Sequence, residues 1–342
     1  MKGNTAVVIL NYNGESMLTR FLPSVVEHTP DARIVVADNG SIDNSVAVVR
    51  STFPAVEVIE LGANYGFAEG YNRALAQVDA TYYVLLNSDV EVTHGWLTPI
   101  VETMESDKSI VACQPKVLAY NEKRYFEYAG ASGGFIDAYG YPFCRGRIFD
   151  TVEEDCGQYD APCRIFWATG AALAVRSDVF KSVGGFDGRF FAHMEEIDLC
   201  WRLLARGGAI MALPASVVYH VGGATLHKSN PRKTYLNFRN NLLMLYKNMP
   251  TGQLHRVMRV RRWLDAAAAL KFLLTGEWGD FMAVLRARRD FKRMKKEFAA
   301  SRSCNISETT VPATATMFGR SILWNYYAKG KRHFSQYMIN NL

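Results

Sequence analysis

Through residues 1–120, short apolar runs alternate with stretches in which apolar residues recur every three or four positions. Residues 5–11 (TAVVILN), 32–39 (ARIVVADN), 56–62 (VEVIELG), 81–89 (TYYVLLNSD) and 110–118 (IVACQPKVL) read as strands. Between them, Met17, Leu18, Phe21, Leu22, Val25 and Val26 mark one helix face, which Pro23 is placed to kink. Residues 45–53, 67–77 and 95–104 predict three more helices. Continuous apolar strands with interposed helices predict a mostly parallel sheet covered on both faces. Polar residues gather just past the carboxyl ends of these strands: Asn11 and Asn13, Asp38 and Asn39, Asn64, Asn87 and Asp89. Ligands of open α/β sheets bind along that edge.

The pattern changes after about residue 120. Residues 126–143 read as a glycine-rich hairpin, and 145–164, polar and aperiodic, as a mobile loop. Residues 166–175 are small and apolar, and 209–220 read as strands ending at His220. From Tyr235 to about residue 300 the spacing is helical. We therefore divide the chain into an α/β domain, 1–250, made of halves 1–120 and 121–250, and a mostly helical extension, 251–342.

Charge sharpens this division. The chain carries a net +6, yet residues 251–342 hold 17 Lys and Arg against 6 Asp and Glu. That is +11, leaving −5 for residues 1–250, so the tail is expected to meet something anionic. Val260, Trp263, Leu264, Ala267, Leu270 and Leu274 fall at helical spacing, and residues 281–294 are dense in Arg and Lys. Two readings stand: a helix pair packed on the domain with a solvated basic face, or an amphipathic pair lying in an anionic membrane interface. Asp265 and Lys271 argue against a spanning helix. No run approaches the roughly 18 apolar residues that spanning needs. The first apolar run is too short for a signal peptide. Six cysteines with no CxxC spacing suit a reducing, cytoplasmic location.

The stretch FFAHMEEIDLCWR, residues 190–202, sets Glu195, Glu196 and Asp198 among Phe190, Phe191, Leu199 and Trp201. Acids also suit a helix N-terminus on dipole grounds alone. A carboxylate among apolar neighbours, however, gains basicity by desolvation and can act as a general base. Asp38 ends the second strand, where it can accept a ring N–H or simply begin a turn. Asp89, at the tip of the fourth, can hold a hard divalent cation with His220 as a second ligand, although strand-end Asp and His residues are also common structurally. Gly66 and Gly70 permit close backbone approach. There is no G-x-G-x-x-G after the first strand and no G-x-x-x-x-G-K-[ST], which argues against a dinucleotide oxidoreductase and a P-loop enzyme.

Taken in order, VVILNYNG, ADNGSID, NYGFAEGYN, LLNSDVEV, TGAALAVRSDVFKSVGGFDGRFF, EEIDLCWRLLARG and HVGGAT resemble the family 2 glycosyltransferases of GT-A fold, over residues 5 to about 250. The likeness is strongest to bacterial rhamnosyltransferase-type enzymes that build cell-surface polysaccharides. It implies that 1–250 is a catalytic domain with a nucleotide-diphospho-sugar transferase sheet, a nucleotide-binding half, 1–120, and an acceptor half, 121–250, and an inverting transfer from a UDP- or dTDP-sugar, such as dTDP-rhamnose, to a glycan or lipid-linked glycan. It implies Mg2+ or Mn2+ as cofactor, a location at the inner face of the cell membrane, contact with anionic lipid, and no nucleic-acid partner. By position, Leu10, Asn11, Asn13, Asp38, Asn39, Asn64, Gly66, Phe67, Asn72, Asn87 and Ser88 would line the nucleotide and donor. Trp167, Thr169, Gly170 and Ala171 would form the sugar and acceptor pocket. Asp89 and His220 would hold metal, and Glu196 would be the base, with Glu195 and Asp198 beside it.

Two departures are visible. Asn87 stands at the first position of the family's D-x-D motif, removing one charge from the metal site. Glu196 stands where the family's base is usually Asp, so Glu195 remains open as the base. A sugar-nucleotide pyrophosphorylase is a rival, but it would want a basic, glycine-rich loop after the first strand, and LNYNGES has no basic residue. A non-catalytic glycan-binding protein with a decayed site is the other.

Overall fold

The structure is a computed structural model that describes residues 4–222 and 230–337. Its first half runs β1 (Thr5–Asn11), α1 (Glu15–His28), β2 (Arg33–Asp38), α2 (Ser45–Thr52), β3 (Glu57–Glu60), α3 (Gly66–Leu75), β4 (Tyr82–Asn87), β5 (Val90–Val92), α4 (Thr98–Ser106) and β6 (Ile110–Ala119). A smaller set follows: β7 (Gly134–Ile136), β8 (Pro142–Cys144), β9 (Arg147–Ile148), β10 (Thr151–Val152) and β11 (Cys163–Arg164). Then come β12 (Ala172–Arg176), α5 (Ser177–Ser182), α6 (Glu195–Ala205), β13 (Ala209–His220), α7 (Pro231–Asn248), α8 (Thr251–Leu274), α9 (Trp278–Met294) and α10 (Ala299–Ser307).

Nine strands form one sheet in the order β11-β13-β6-β12-β4-β1-β2-β3, with β5 paired to β13. Strands β3, β2, β1 and β4 are mutually parallel, as are β6 and β13. Antiparallel β12 joins the two blocks. Successive residues of β1 point to opposite faces. Val7 and Ile9 share a core with Leu18 and Leu22 of α1 and Ile100 of α4. Ala6 and Val8 share the other with Tyr71 and Ala74 of α3. Helices thus cover both faces, as the continuous apolar strands predict. Residues 209–220 form one long strand with a bulge, its register to β6 shifting between Leu213 and Val217.

The stretch 145–164, expected to be a mobile loop, instead supplies β9 and β10 to a second, four-stranded sheet and β11 to the edge of the first. Its two buried arginines are satisfied: Arg145 Nε donates to Ser132 O at 2.9 Å and Arg147 Nε to Tyr128 O at 2.7 Å. Lys116, nearly buried, pairs with Asp155 at 2.7 Å. Polarity here serves internal carbonyls rather than solvent, which hydropathy cannot distinguish.

The C-terminal helices pack on the body through a polar seam. Asp265 of α8 is fully buried between Arg261 and Arg288 of α9. Arg261 also donates to Tyr139 O at 3.0 Å and to Asn241 of α7. The opposite face of α8 is left outside, with Trp263 73% and Leu274 78% exposed. The last segment turns back onto the small sheet. Phe318 N donates to Ile136 O, Ile322 N to Asp137, and Phe334 N to Glu153, all within 2.9 Å. The Phe334 ring lies 5.1 Å from that of Phe135.

Candidate active site

Asp89 and His220 meet because β5 pairs antiparallel with the end of β13, setting His220 opposite Val90. His220 Nε2 lies 3.1 Å from Asp89 Oδ1 and 3.4 Å from Asn87 Nδ2. On the far side, Nδ1 lies 3.5 Å from Glu127 Oε1 without a hydrogen bond. Burial alone would lower the His220 pKa, but the two carboxylates outweigh it and hold it up to about 10. Glu127 was not legible as a site residue, since nothing in EKRYFEYAG sets it apart. Two donors on one octahedral ion at bonds of about 2.1–2.2 Å stand roughly 3 Å apart, so the Asp89–His220 separation fits a shared divalent cation. Among the described residues, no three His, Cys, Asp or Glu side chains converge on one ion, so phosphate oxygens would have to complete the shell. The Gly223–Thr225 part of HVGGAT lies outside the described residues.

At the nucleotide edge, Asn11 Nδ2 donates to Asp38 Oδ1 and to Ser41 Oγ, both at 3.1 Å. Ser41 N donates to Asp38 Oδ2 at 3.0 Å, so Asp38 caps its own turn while each oxygen keeps a further lone pair. The buried Oδ1 of Asn11 has no partner, and Ser88 lies close by across Gly14. Asn13, in the left-handed region at φ 52, accepts from Ile42 N. Leu10 packs beneath Gly70.

Several residues expected to line the donor hold backbone instead. Asn39 bonds Asn64, Gly66 O and Tyr65 N, latching β2 to the start of α3. Asn72 exchanges two hydrogen bonds with the backbone of Phe186 at 2.8 and 2.9 Å. Trp167 is buried, its indole N–H donating to Phe135 O at 2.9 Å, and Thr169 is buried between Gln114 and Ala129. The wall nearest the chemistry is Gly170: a Cβ there would stand 3.1 Å from the Phe67 ring and 3.9 Å from Glu196 Cβ. Ala171 O accepts from Asn87 N at 3.0 Å, joining this wall to the tip of β4.

Glu195 and Glu196 open α6. Glu195 is buried and Glu196 half-buried beside Gly170. In each, Oε2 is shielded from solvent and has no partner. Burial pushes the Glu196 carboxyl up to about 7. Burial, then the neighbouring Glu196, pushes Glu195 well above the usual range. Asp198 has a different place. It is fully buried and taken by Arg202 at 2.9 Å, Lys247 at 2.8 Å and Asn248 at 2.7 Å. That network ties α6 to α7 and leaves no free oxygen for chemistry.

An α/β sheet with an Asp–His pair at one strand edge and an uncompensated carboxylate pair beside Gly170 fits a glycosyltransferase of GT-A fold. A GalNAc-T7 structure solved with UDP, GalNAc and Mn2+ shares this fold: TM-score 0.57 and 19% identity over 73% of this chain and 49% of that one. The chain thus spans about half the length of that neighbour. Residues 6–167 match the model described as glycosyl transferase family 2, and over that stretch the chain is similar to that family. It is similar to the N-acetylglucosaminyl-diphospho-decaprenol L-rhamnosyltransferase of Mycobacterium tuberculosis, 27% identical over 63% of this chain and 75% of the relative. It is also similar to the rhamnosyltransferase WbbL of Escherichia coli K12, 24% identical over 63% of this chain and 82% of that relative.

Proposed function

We propose that the chain transfers a sugar, with inversion, from a UDP- or dTDP-sugar to a hydroxyl of a cell-surface polysaccharide or lipid-linked glycan precursor. A rhamnosyl group, donated by dTDP-rhamnose, is in keeping with the names of both relatives, and a lipid diphosphate acceptor with that of the first. The observation that carries the proposal is the Glu195–Glu196 pair, buried and half-buried, with no ion pair to either carboxylate among the described residues, next to Gly170 and Phe67.

Glu196, at the mouth, takes the proton of the acceptor hydroxyl as the new bond forms, from within about 2.6–3.2 Å. A pKa near 7 leaves it part-ionised at neutral pH, strong enough as a base without being locked in one state. Glu195, deeper and pushed well above the usual range by burial and by Glu196, holds its proton while Glu196 titrates. Attack comes from the face opposite the leaving diphosphate, hence inversion. Asp89 and His220, with Asn87 beside them, would hold Mg2+ or Mn2+, which supplies charge neutralisation at the departing phosphates. Asp38 accepts the N3–H of the pyrimidine ring.

A lipid-linked acceptor places the enzyme at the inner membrane face, and the docking surface falls on α8 and α9. Trp263, Ala267, Leu270 and Leu274 form one outward stripe of α8, and Trp278 and Leu285 of α9 are also exposed. Exposed Arg259, Arg262, Lys271, Arg286 and Arg289 accompany them, which matches an anionic lipid surface. Among the described residues, no helix is long and apolar enough to cross a membrane. A thermal-shift panel of nucleotide-sugars with Mn2+ tests the core proposal. Selective stabilisation by one UDP- or dTDP-sugar is expected; no shift with any of them would overturn it.

A further inference from the structure

The segment that delivers the carboxylate pair is bent. Phe191, His193 and Met194 all lie in the left-handed region, at φ 67, 68 and 72, which residues other than glycine rarely adopt. Such a backbone persists only where its surroundings over-determine it, and here two helices hold it. From α3, Phe67 N and Ala68 N donate to Phe191 O at 2.8 and 3.3 Å. Gly66 makes this approach possible, since a Cβ there would stand 2.6 Å from the Phe191 ring. From α7, the fully buried Asn240 aims its amide nitrogen at three carbonyls, 3.0 Å from Phe190 O, 2.8 Å from Ala192 O and 2.7 Å from His193 O. Three acceptors determine which end of the amide faces the loop. Arg239 completes the clamp: its Nε donates to Asn240 Oδ1 at 2.9 Å and its Nη2 to Phe190 O at 3.1 Å.

Beyond backbone groups at their own helix start, the carboxylates have no side-chain partner among the described residues to orient them. Neither Glu195 Oε2 nor Glu196 Oε2 has a partner, and the nearby cations Arg202 and Lys247 are turned onto Asp198. Their direction is therefore inherited from the backbone before them. We propose that Asn240 is a positioning residue for glycosyl transfer, holding the Phe190–His193 carbonyls so that the Glu195–Glu196 pair enters the sugar pocket dry and in one orientation. The proposal rests on Glu196 as the base and adds a distant helix, outside the residues 6–167 that match the family model, as the part that sets its aim.

Two readouts separate positioning from mere stability. Asn240→Ala in the full chain should speed hydrogen exchange at amides 191–198 but not in β4. With a UDP- or dTDP-sugar donor, kcat should fall on the order of 10²-fold, the effect of roughly 1 Å of misplacement, while donor KM stays within about two-fold. Water reaching the loosened pair should also move the acid limb of kcat to lower pH. The titratable groups facing the pair are Asp198 and Cys200 of α6 and Cys144 of β8. Leu243→Ala, a buried change on the same helix that touches no loop carbonyl, serves as the comparison. It should lower Tm without moving the acid limb. The proposal is overturned if Asn240→Ala keeps kcat within about three-fold, or if Leu243→Ala shows the same loss and the same acid-limb shift. Should Glu196→Gln itself retain turnover, the assignment of the base fails instead, and that outcome is distinct.

Discussion

Replacing Glu196 by Gln should make the protein more stable as it makes it inactive. The carboxyl is held up to about 7 against an ordinary 4.5, chiefly by burial. A difference of that size corresponds to roughly 3 kcal/mol between the protonation states. Glu196 keeps some contact with solvent, so we expect about 1–2 kcal/mol to be felt by folding. The sign follows from linkage. Below about pH 4.5 the carboxyl is protonated in both folded and unfolded chains, and no penalty exists. Between about 4.5 and 7 the folded state keeps a proton that the unfolded state has lost, so stability falls as pH rises. Above about 7 the penalty is complete. Glu196→Gln removes it and also relieves Glu195, whose pKa the neighbouring charge raises. Calorimetry at constant ionic strength should find the variant matched with wild type near pH 4.5 and about 1.5–3 °C higher in Tm at pH 8. Transfer should drop about 10²–10⁴-fold, with nucleotide binding nearly unchanged. A Tm gap independent of pH, or a less stable variant at pH 8, would refute the claim that an uncompensated carboxylate sits there.

Mn2+ should bind weakly to the protein alone and at least about ten-fold more tightly with UDP present, because Asp89 and His220 supply few donors by themselves; calorimetry checks this, and full activity in excess EDTA would rule out the metal. UDP and dTDP should bind better than CDP, which lacks the N3–H that Asp38 would accept; equal affinities in a competition assay would remove Asp38 from base recognition. Trp263→Ser with Leu274→Ser should at least halve co-sedimentation with vesicles containing about 30% anionic lipid, and about 0.5 M salt should weaken wild-type binding by screening the basic residues. Equal binding to neutral vesicles would leave α8 and α9 as packed helices alone.

The parallel half was legible because its strands are continuous apolar runs and its helices keep a helical period. The start of α6 at Glu195 was legible for the same reason, since Leu199, Leu203 and Leu204 declare the helix at once. Side-chain partnerships were not. Asp198 sits two residues from Glu196 yet belongs to Arg202 and Lys247, and only the path of α7 decides that. Asn72 and Asn39 are polar at the right edge but spend their amides on backbone. Glu127 and Asn240 reach the site from distant segments, and local pattern says nothing of such meetings. Helix α8 misleads in another way: its buried face carries Arg261 and Asp265, while the apolar stripe looks outward. The packed and interfacial readings of that pair are therefore compatible, because they use opposite faces.

The return of residues 313–337 onto the small sheet bears on synthesis. Ile136, Asp137 and Glu153 wait for Phe318, Ile322 and Phe334, partners encoded more than 180 residues later. At about 5–20 residues per second, a ribosome needs on the order of ten seconds or more to supply them. During that interval β1–β4 and the nucleotide edge can form, while the sheet beneath Trp167 lacks part of its core. The nascent chain would thus acquire its donor-side strands first. Its acceptor side would close only once residue 337 has left the ribosome, so that competence for transfer arrives last.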